Sequence, residues 1–217
     1  MASHTRHVRL VHDEEPIRLF QSGFLEFFTH IHPAVILVIW VPVVVYCLAS
    51  AIVMEAPGGA GGWVRIPLGF LLGLFLWTLV EYTLHRFVFP FRPRTPWQER
   101  LSFLAHGIHH AQPKSKTRLV MPPVISIPLA VLFYGLFWLI LGAALGAPHW
   151  IAPTFAGFLS GYVTYDMIHY VTHHIALRKG VGRFLKRYHM EHHYKAPNRH
   201  FGVSSPLWDR IFRTQEL

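Results

Sequence analysis

The stretch PAVILVIWVPVVVYCLASAIVM, Pro33 to Met54, runs for 22 residues without a charge. At 1.5 Å per residue a helix of that length reaches ~33 Å, enough to cross a hydrocarbon core of ~30 Å. In lipid the backbone has no water to bond, so the helix is the solution that satisfies one such segment by itself. Outward from it, Val124 to Leu145 is a second uncharged run. Ile66 to Val80 is short alone, but it becomes long enough if the helix starts near Trp63 and continues through Glu81, Tyr82 and His85 before Pro90 stops it. Trp150 to Thr172 completes the set. The expected fold is an all-α integral membrane protein with four transmembrane helices, at about 33–54, 63–85, 124–145 and 150–172.

Composition agrees. Of 217 residues, 52% are hydrophobic and 14% charged, against about 25% charged in an ordinary soluble domain; mean hydropathy is +0.32. The net charge of +9 does not point to nucleic acid, because the basic residues cluster in loops between apolar runs. Nineteen of the 20 Lys and Arg fall before residue 33, from Arg86 to Arg118, or from Arg178 onward; Arg65 alone lies on the other side. By the positive-inside rule both termini are then cytoplasmic. Residues 1–32 read as a cytoplasmic or interfacial segment. Residues 33–217 read as one membrane-embedded domain, with a helical cytoplasmic cap made of 86–120 and 173–217. The single cysteine, Cys47, provides neither a disulfide framework nor a thiolate zinc site.

Histidine is the outlier, at 17 copies. Tyr188-His189-Met190-Glu191-His192-His193-Tyr194-Lys195 and His106-Gly107-Ile108-His109-His110 both read His-x-x-His-His. Positions i, i+3 and i+4 share a helix face, so each copy is expected to aim three imidazoles at one point. His4, His7 and His12 read as solvated, and His30, His32 and His149 as interfacial. The others, with Glu81 and Asp166, gather at the ends of spans, where ionisable groups are costly unless paired or functional. Haem ligation would use fewer histidines at different depths. A metal transporter would carry ligands and carboxylates near mid-membrane, where this chain has none. A cap holding a two-metal centre of neutral imidazoles remains, suited to zinc, copper, iron or nickel. Glu81, Asp166 and Glu191 stand beside these positions as candidate acceptors for the ring nitrogens that face away from the metal.

Glu81-Tyr82-Thr83-Leu84-His85-Arg86-Phe87, His106-x-x-His109-His110, Arg118-Leu-Val-Met-Pro-Pro123, Tyr165-Asp166-x-x-His169-x-x-x-His173-His174, Tyr188-His189-x-x-His192-His193-Tyr194-Lys195, Phe201-Gly-Val-Ser-Ser205 and Trp208-Asp209 closely resemble the fatty acid 2-hydroxylases of the fatty acid hydroxylase and sterol desaturase superfamily. The resemblance implies a di-iron oxygenase that uses dioxygen and two electrons to hydroxylate a long acyl chain at C2, with zinc able to replace iron in purified protein. It implies the ligands His85, His106, His109, His110, His169, His173, His189, His192 and His193. It also implies a membrane-facing substrate tunnel, with Tyr82, Tyr165 and Tyr170 as candidates for its polar end. The alternatives are a sterol, carotenoid or alkyl-lipid oxidase of the same superfamily, or a non-catalytic metal-binding or transport protein.

The chain departs from the family pattern at Pro90, where a further histidine is expected; His174, Asn198 or His200 could replace it. Ser115 stands where an aspartate is expected. No fused cytochrome b5 domain fits in 217 residues, so the expected partners are a long-chain lipid, the membrane and a separate electron donor of cytochrome b5 or ferredoxin type. That same absence leans the expected location to a bacterial inner membrane over an endoplasmic reticulum.

Overall fold

A computed structural model describes residues 16–55, 60–91 and 93–215. The first fifteen residues of the expected interfacial segment, four residues of the Gly-rich turn after Met54 and Arg92 of the basic loop lie outside the described residues. Every regular element among the described residues is a helix.

A short helix α1 (Gly23–Phe27) precedes α2 (Pro33–Glu55) and α3 (Ala60–Thr83), which runs on into a π-helical turn, Leu84–Val88. The cap begins with α4 (Pro96–Ser102), a second π-helical turn (Phe103–Gly107) and α5 (Ile108–Ala111). The chain re-enters the bundle as α6 (Pro123–Phe137), prolonged by a π-helical segment, Trp138–Ala144, and returns as α7 (Ile151–His174). Helices α8 (Gly180–Tyr194) and α9 (Leu207–Ile211) finish the cap. Pro33, Pro96 and Pro123 each open a helix, where the missing N–H has no intrahelical partner in any case. Gly146 and Gly180, at φ +62° and +58°, make the turns before α7 and α8.

Among the described residues three helices are long and apolar enough to cross a membrane: Pro33–Met54, Gly61–Val88 and Pro123–Ala144, with mean hydropathies of 2.7, 1.8 and 2.4. Their outward side chains, among them Val38, Val53, Leu71, Val131 and Leu132, are exposed, as a lipid-facing surface requires. The fourth expected span has the expected helix but not that character. Helix α7 is buried along most of its length, packed mainly on α2 and α3. A helix walled by protein needs no apolar exterior, which is why Thr154, Gly157, Ser160, Gly161 and Tyr162 can occupy it.

The α3–α7 contact fixes the geometry of the whole molecule. Gly69 lies on Pro153, Gly73 on Thr154 to Phe158, Gly157 on Phe70, and Gly161 on Trp77. Residue numbers rise together on both helices, so they run parallel and end at the same face. A Cβ on Gly73 would lie 2.5 Å from the Phe158 nitrogen, and one on Gly157 would lie 2.7 Å from the Phe70 carbonyl carbon. The two backbones touch, the close approach that small residues at four-residue spacing permit in membranes. That spacing, Gly69-x-x-x-Gly73 and Gly157-x-x-x-Gly161, is visible in the sequence. Trp77 closes the far end, its ring 5.3 Å from those of Phe158 and Tyr162.

The cap is tied down at two places. Arg118 donates to the Ile17 carbonyl and the Glu26 carboxylate, and the Ile31 N–H donates to the Thr117 carbonyl at 2.7 Å. This holds the chain before α2 against the loop after α5. At the other end Trp208 Nε1 donates to Thr78 Oγ1 at 2.9 Å, and Tyr82 stacks on Phe212 at 5.4 Å, seating α9 on α3.

Candidate metal centre

The parallel ends of α3 and α7 deliver His85, His169 and His173 to one face, and α5 and α8 bring their imidazoles over it. Nine histidines converge there in two groups. His109, His169, His173, His189 and His193 form one; His85, His106, His110 and His192 form the other. Within the first, Nε2 atoms approach at 2.9 Å (His169–His109), 2.8 Å (His109–His193 and His173–His189) and 3.1 Å (His193–His189). In the second, His110 and His106 meet at 2.7 Å, and the rings of His85 and His192 lie 4.4 Å apart. The groups adjoin through His110, stacked on His193 at 4.2 Å.

These nine are the histidines named from the sequence, but they divide differently from the expectation. Neither His-x-x-His-His motif aims three rings at one point. His189 and His193 enter the five-membered group and His192 the other; His106 and His110 enter the four-membered group and His109 the other. Residues i and i+4 are ~40° apart around a helix, whereas i+3 and i+4 diverge by ~100°. Each motif therefore spans two sites, and the pair also binds the sites to each other.

The chemistry of the donor set fits metal ions. His85 Nδ1 faces the Phe201 carbonyl at 2.5 Å and His192 Nδ1 faces that of Arg199 at 2.7 Å. A carbonyl only accepts, so each Nδ1 carries the proton and each Nε2 presents a lone pair. Both of these Nε2 atoms are buried without a partner. Such lone pairs turned towards one another call for a cation between them. Two nitrogens at right angles, each ~2.1 Å from one ion, lie ~3.0 Å apart, in line with the observed 2.7–3.1 Å. Charge state agrees. Burial, followed by the neighbouring His192, pushes His110 down to about 3; burial pushes His192 down to about 4, against the opposing pull of the Arg199 carbonyl. Burial, followed by neighbouring histidines, also holds His106, His109, His189 and His193 well below the usual imidazole range. All six are neutral at physiological pH, as ligation requires.

Among the described residues, Glu81, Asp166 and Glu191 accept no hydrogen bond from a histidine ring. Glu81 takes the N–H groups of Val203 and Ser204, Asp166 faces the Met121 N–H at 3.4 Å, and Glu191 pairs with Arg187 at 3.2 Å. Backbone carbonyls hold His85 and His192 instead, which sequence proximity could not reveal. Nor does His174, Asn198 or His200 join the four-membered group at the Pro90 vacancy in the pattern. The His174 ring packs on Tyr170 at 4.5 Å, Asn198 is exposed, and the His200 ring packs on Tyr188 at 4.4 Å.

None of the three tyrosines named from the sequence lines the apolar cleft of the bundle. Tyr82 bonds Thr214 Oγ1 and Arg86, Tyr165 lies between Trp77 and His169, and Tyr170 covers His174. That cleft opens between α3, α6 and α7, walled by Trp77, Leu84, Met121, Ala130, Phe133 and Tyr162. Leu84 in its wall is the chain neighbour of His85. Tyr162 and Ser126 are its polar groups. Only the packing of α6 on α7 identifies them.

Residues 70–214 match the family model described as fatty acid hydroxylase. The chain is 38% identical to dihydroceramide fatty acyl 2-hydroxylase FAH1 of Arabidopsis thaliana, over 93% of this chain and 81% of that protein. It is 41% identical to the ceramide very long chain fatty acid hydroxylase SCS7 of Saccharomyces cerevisiae (89% and 48%) and 37% identical to fatty acid 2-hydroxylase of Homo sapiens (92% and 56%), spanning about half of each. The solved structure of full-length scs7p, with only its hydroxylase domain visible, superposes with a TM-score of 0.80 at 40% identity, over 90% of this chain and 70% of that one. The expected bacterial inner membrane is overturned, because these relatives come from a plant, a yeast and a mammal. Histidine groups, helical frame and sequence likeness agree that this chain belongs to the fatty acid hydroxylase family, in its fatty acid 2-hydroxylase branch, and is a membrane oxidoreductase.

Proposed function

We propose that the protein is a di-iron oxygenase that hydroxylates a long acyl chain at C2. The acyl group is carried as a free acid, a thioester or, the form the plant and yeast relatives' names favour, a ceramide-type amide. One observation carries the reading: nine imidazoles converge in groups of five and four at the parallel ends of α3 and α7. The five-membered group would hold one ion and the four-membered group the other. Two irons with dioxygen and two electrons supply the power to oxidise an unactivated C–H bond, and the protein supplies position and exclusion of water.

The chain's own residues account for those two tasks. The apolar walls of the cleft take an acyl chain out of lipid without a desolvation cost, and Tyr162 and Ser126 provide the hydroxyls that can orient its polar end. The carbonyls of Phe201 and Arg199 fix the tautomers of His85 and His192, so the lone pairs are set before any ion arrives. Electrons come from a separate carrier of cytochrome b5 or ferredoxin type. The excess of basic residues on the cap favours an acidic one, and the same excess supports a cap on the cytoplasmic side.

Expression in cells that lack 2-hydroxy lipids, followed by mass spectrometry of their acyl chains, tests the proposal. Lipids bearing a 2-hydroxy acyl chain should appear with the wild type and disappear with His109→Ala. Oxidised sterols or carotenoids in their place would move the activity to another branch. No new product together with metal flux in liposomes would reduce the protein to a carrier.

A further inference from the structure

Four consecutive backbone N–H groups, those of Phe201, Gly202, Val203 and Ser204, end on two buried carboxylates. Asp209 Oδ1 accepts from Phe201 at 3.0 Å and Oδ2 from Gly202 at 2.7 Å. Glu81 Oε1 accepts from Val203 at 2.5 Å and Ser204 at 2.8 Å, and its Oε2 accepts from Ser204 Oγ. Asp209 and Glu81 are 0% and 3% exposed. One comes from α9 and the other from α3, so the loop is clamped from both sides. Gly202 admits no side chain there: a Cβ would overlap the Ser205 carbonyl and lie 3.1 Å from Asp209 Oδ2.

What this clamp holds is the stretch Arg199–Phe201. His200, at φ +58°, makes a left-handed kink between its neighbours. The carbonyls on either side of it accept the Nδ1–H groups of His192 and His85. The His200 N–H is fixed by the Thr214 carbonyl at 3.0 Å, and Thr214 Oγ1 in turn donates to Asp209 Oδ1 at 2.6 Å. Two of the four imidazoles of the smaller group thus take their orientation from one three-residue rack.

We infer that Glu81 and Asp209 are positioning residues for the four-imidazole site, acting through Arg199–Phe201 on His85 and His192. Two carboxylates are taken out of water, which is costly, and a loop that merely joined α8 to α9 would not need both. The need lies in the smaller site, which has four donors where its neighbour has five. With Pro90 at the position of the missing histidine, a misaligned His85 has no substitute. Tautomer-fixing partners of this kind are typically worth 10–100-fold in metal affinity.

The inference rests on the two-metal reading, and the test keeps the two apart. Full-length protein in nanodiscs is loaded with Zn2+, metal per chain is counted, and release to a chelator is timed. Wild type should hold two ions. Fewer than two overturns the two-metal reading itself, and the inference with it, before any variant is considered. Glu81→Ala and Asp209→Asn should each keep the ion of the five-imidazole site and release the other 10–100-fold faster. Glu81→Gln should behave as wild type, because a single amide oxygen can still accept from Val203 and Ser204. Asn at 209 cannot do the same, since one of its two positions becomes a donor facing an N–H. Glu81→Ala should accelerate release less in a His85→Ala background than in the wild type, because part of its effect runs through His85. Two ions with wild-type release in both Glu81→Ala and Asp209→Asn would overturn the inference. So would loss of both ions together with a lowered unfolding temperature, which would mark a general structural role.

Discussion

Gly157→Ala adds one methyl group about 18 Å along α7 from His169, and it is predicted to damage the metal centre. The added Cβ would lie 2.7 Å from the Phe70 carbonyl carbon and 2.9 Å from its Cα, where ordinary contact begins at 3.4 Å. Both partners are backbone and the Cβ also overlaps the Phe70 carbonyl oxygen, so no rotamer can yield, and α3 and α7 must part by roughly 1–1.5 Å at the crossing. Overpacking of this kind costs about 1–3 kcal/mol, offset by up to about 1 kcal/mol of helix propensity. A net loss of about 1–2 kcal/mol is expected. The functional loss should be larger in proportion, because α3 carries His85 and α7 carries His169 and His173. A displacement of about 1 Å can cost on the order of 100-fold in rate, and metal distances tolerate only about 0.2 Å. Thermal unfolding in nanodiscs and 2-hydroxy acyl formation measure the two effects. Gly135→Ala is the control: nothing lies within 4 Å of a Cβ at that exposed site, so stability should hold or rise by up to about 1 kcal/mol. If Gly157→Ala leaves both stability and product unchanged, the backbone contact does not set the geometry of the site.

The remaining predictions concern substrate, pH and the amino-terminal tie. Ala130→Phe fills the cleft between α3, α6 and α7 and should raise KM for long acyl chains while metal content stays at two; unchanged kinetics would remove the cleft from the substrate path. The metal-free protein should lose stability as pH falls below 6.5, because the unfolded chain then binds protons that buried His192 and His110 refuse until about 4 and about 3. Each such histidine costs about 1.4 kcal/mol per pH unit in that window, and a flat acid limb in a denaturation series would contradict it. Glu26→Gln leaves the Arg118 guanidinium, with only 3% of its side chain exposed, without its charge partner. It should cost on the order of 1–3 kcal/mol, read as earlier proteolysis between α1 and α2.

The histidine clusters and the apolar runs were legible because each follows from local chemistry. An uncharged stretch such as 33–54 has few alternatives to a membrane helix, and nine imidazoles in tight spacing have few uses other than metal. Helix α7 was harder to read. Its hydropathy is diluted by Gly, Thr and Tyr that make sense only once α2 and α3 surround it, and the Gly-x-x-x-Gly pairs that announce that contact were the available signal. Nearness in sequence singles out Glu81, Asp166 and Glu191, and hydrogen bonding does not follow sequence distance. Glu81 is 122 residues from the Val203 N–H it holds, and Asp209, which shares that loop, carries no histidine motif of its own.

The sequence alone determined the membrane setting, the family resemblance and the nine histidines, because hydropathy, helical period and side-chain identity are properties of the chain itself. Only the tertiary structure decided how those histidines divide. The 40° and 100° offsets around α5 and α8 send members of one motif to different groups, and the parallel contact of α3 with α7 decides which imidazoles they meet.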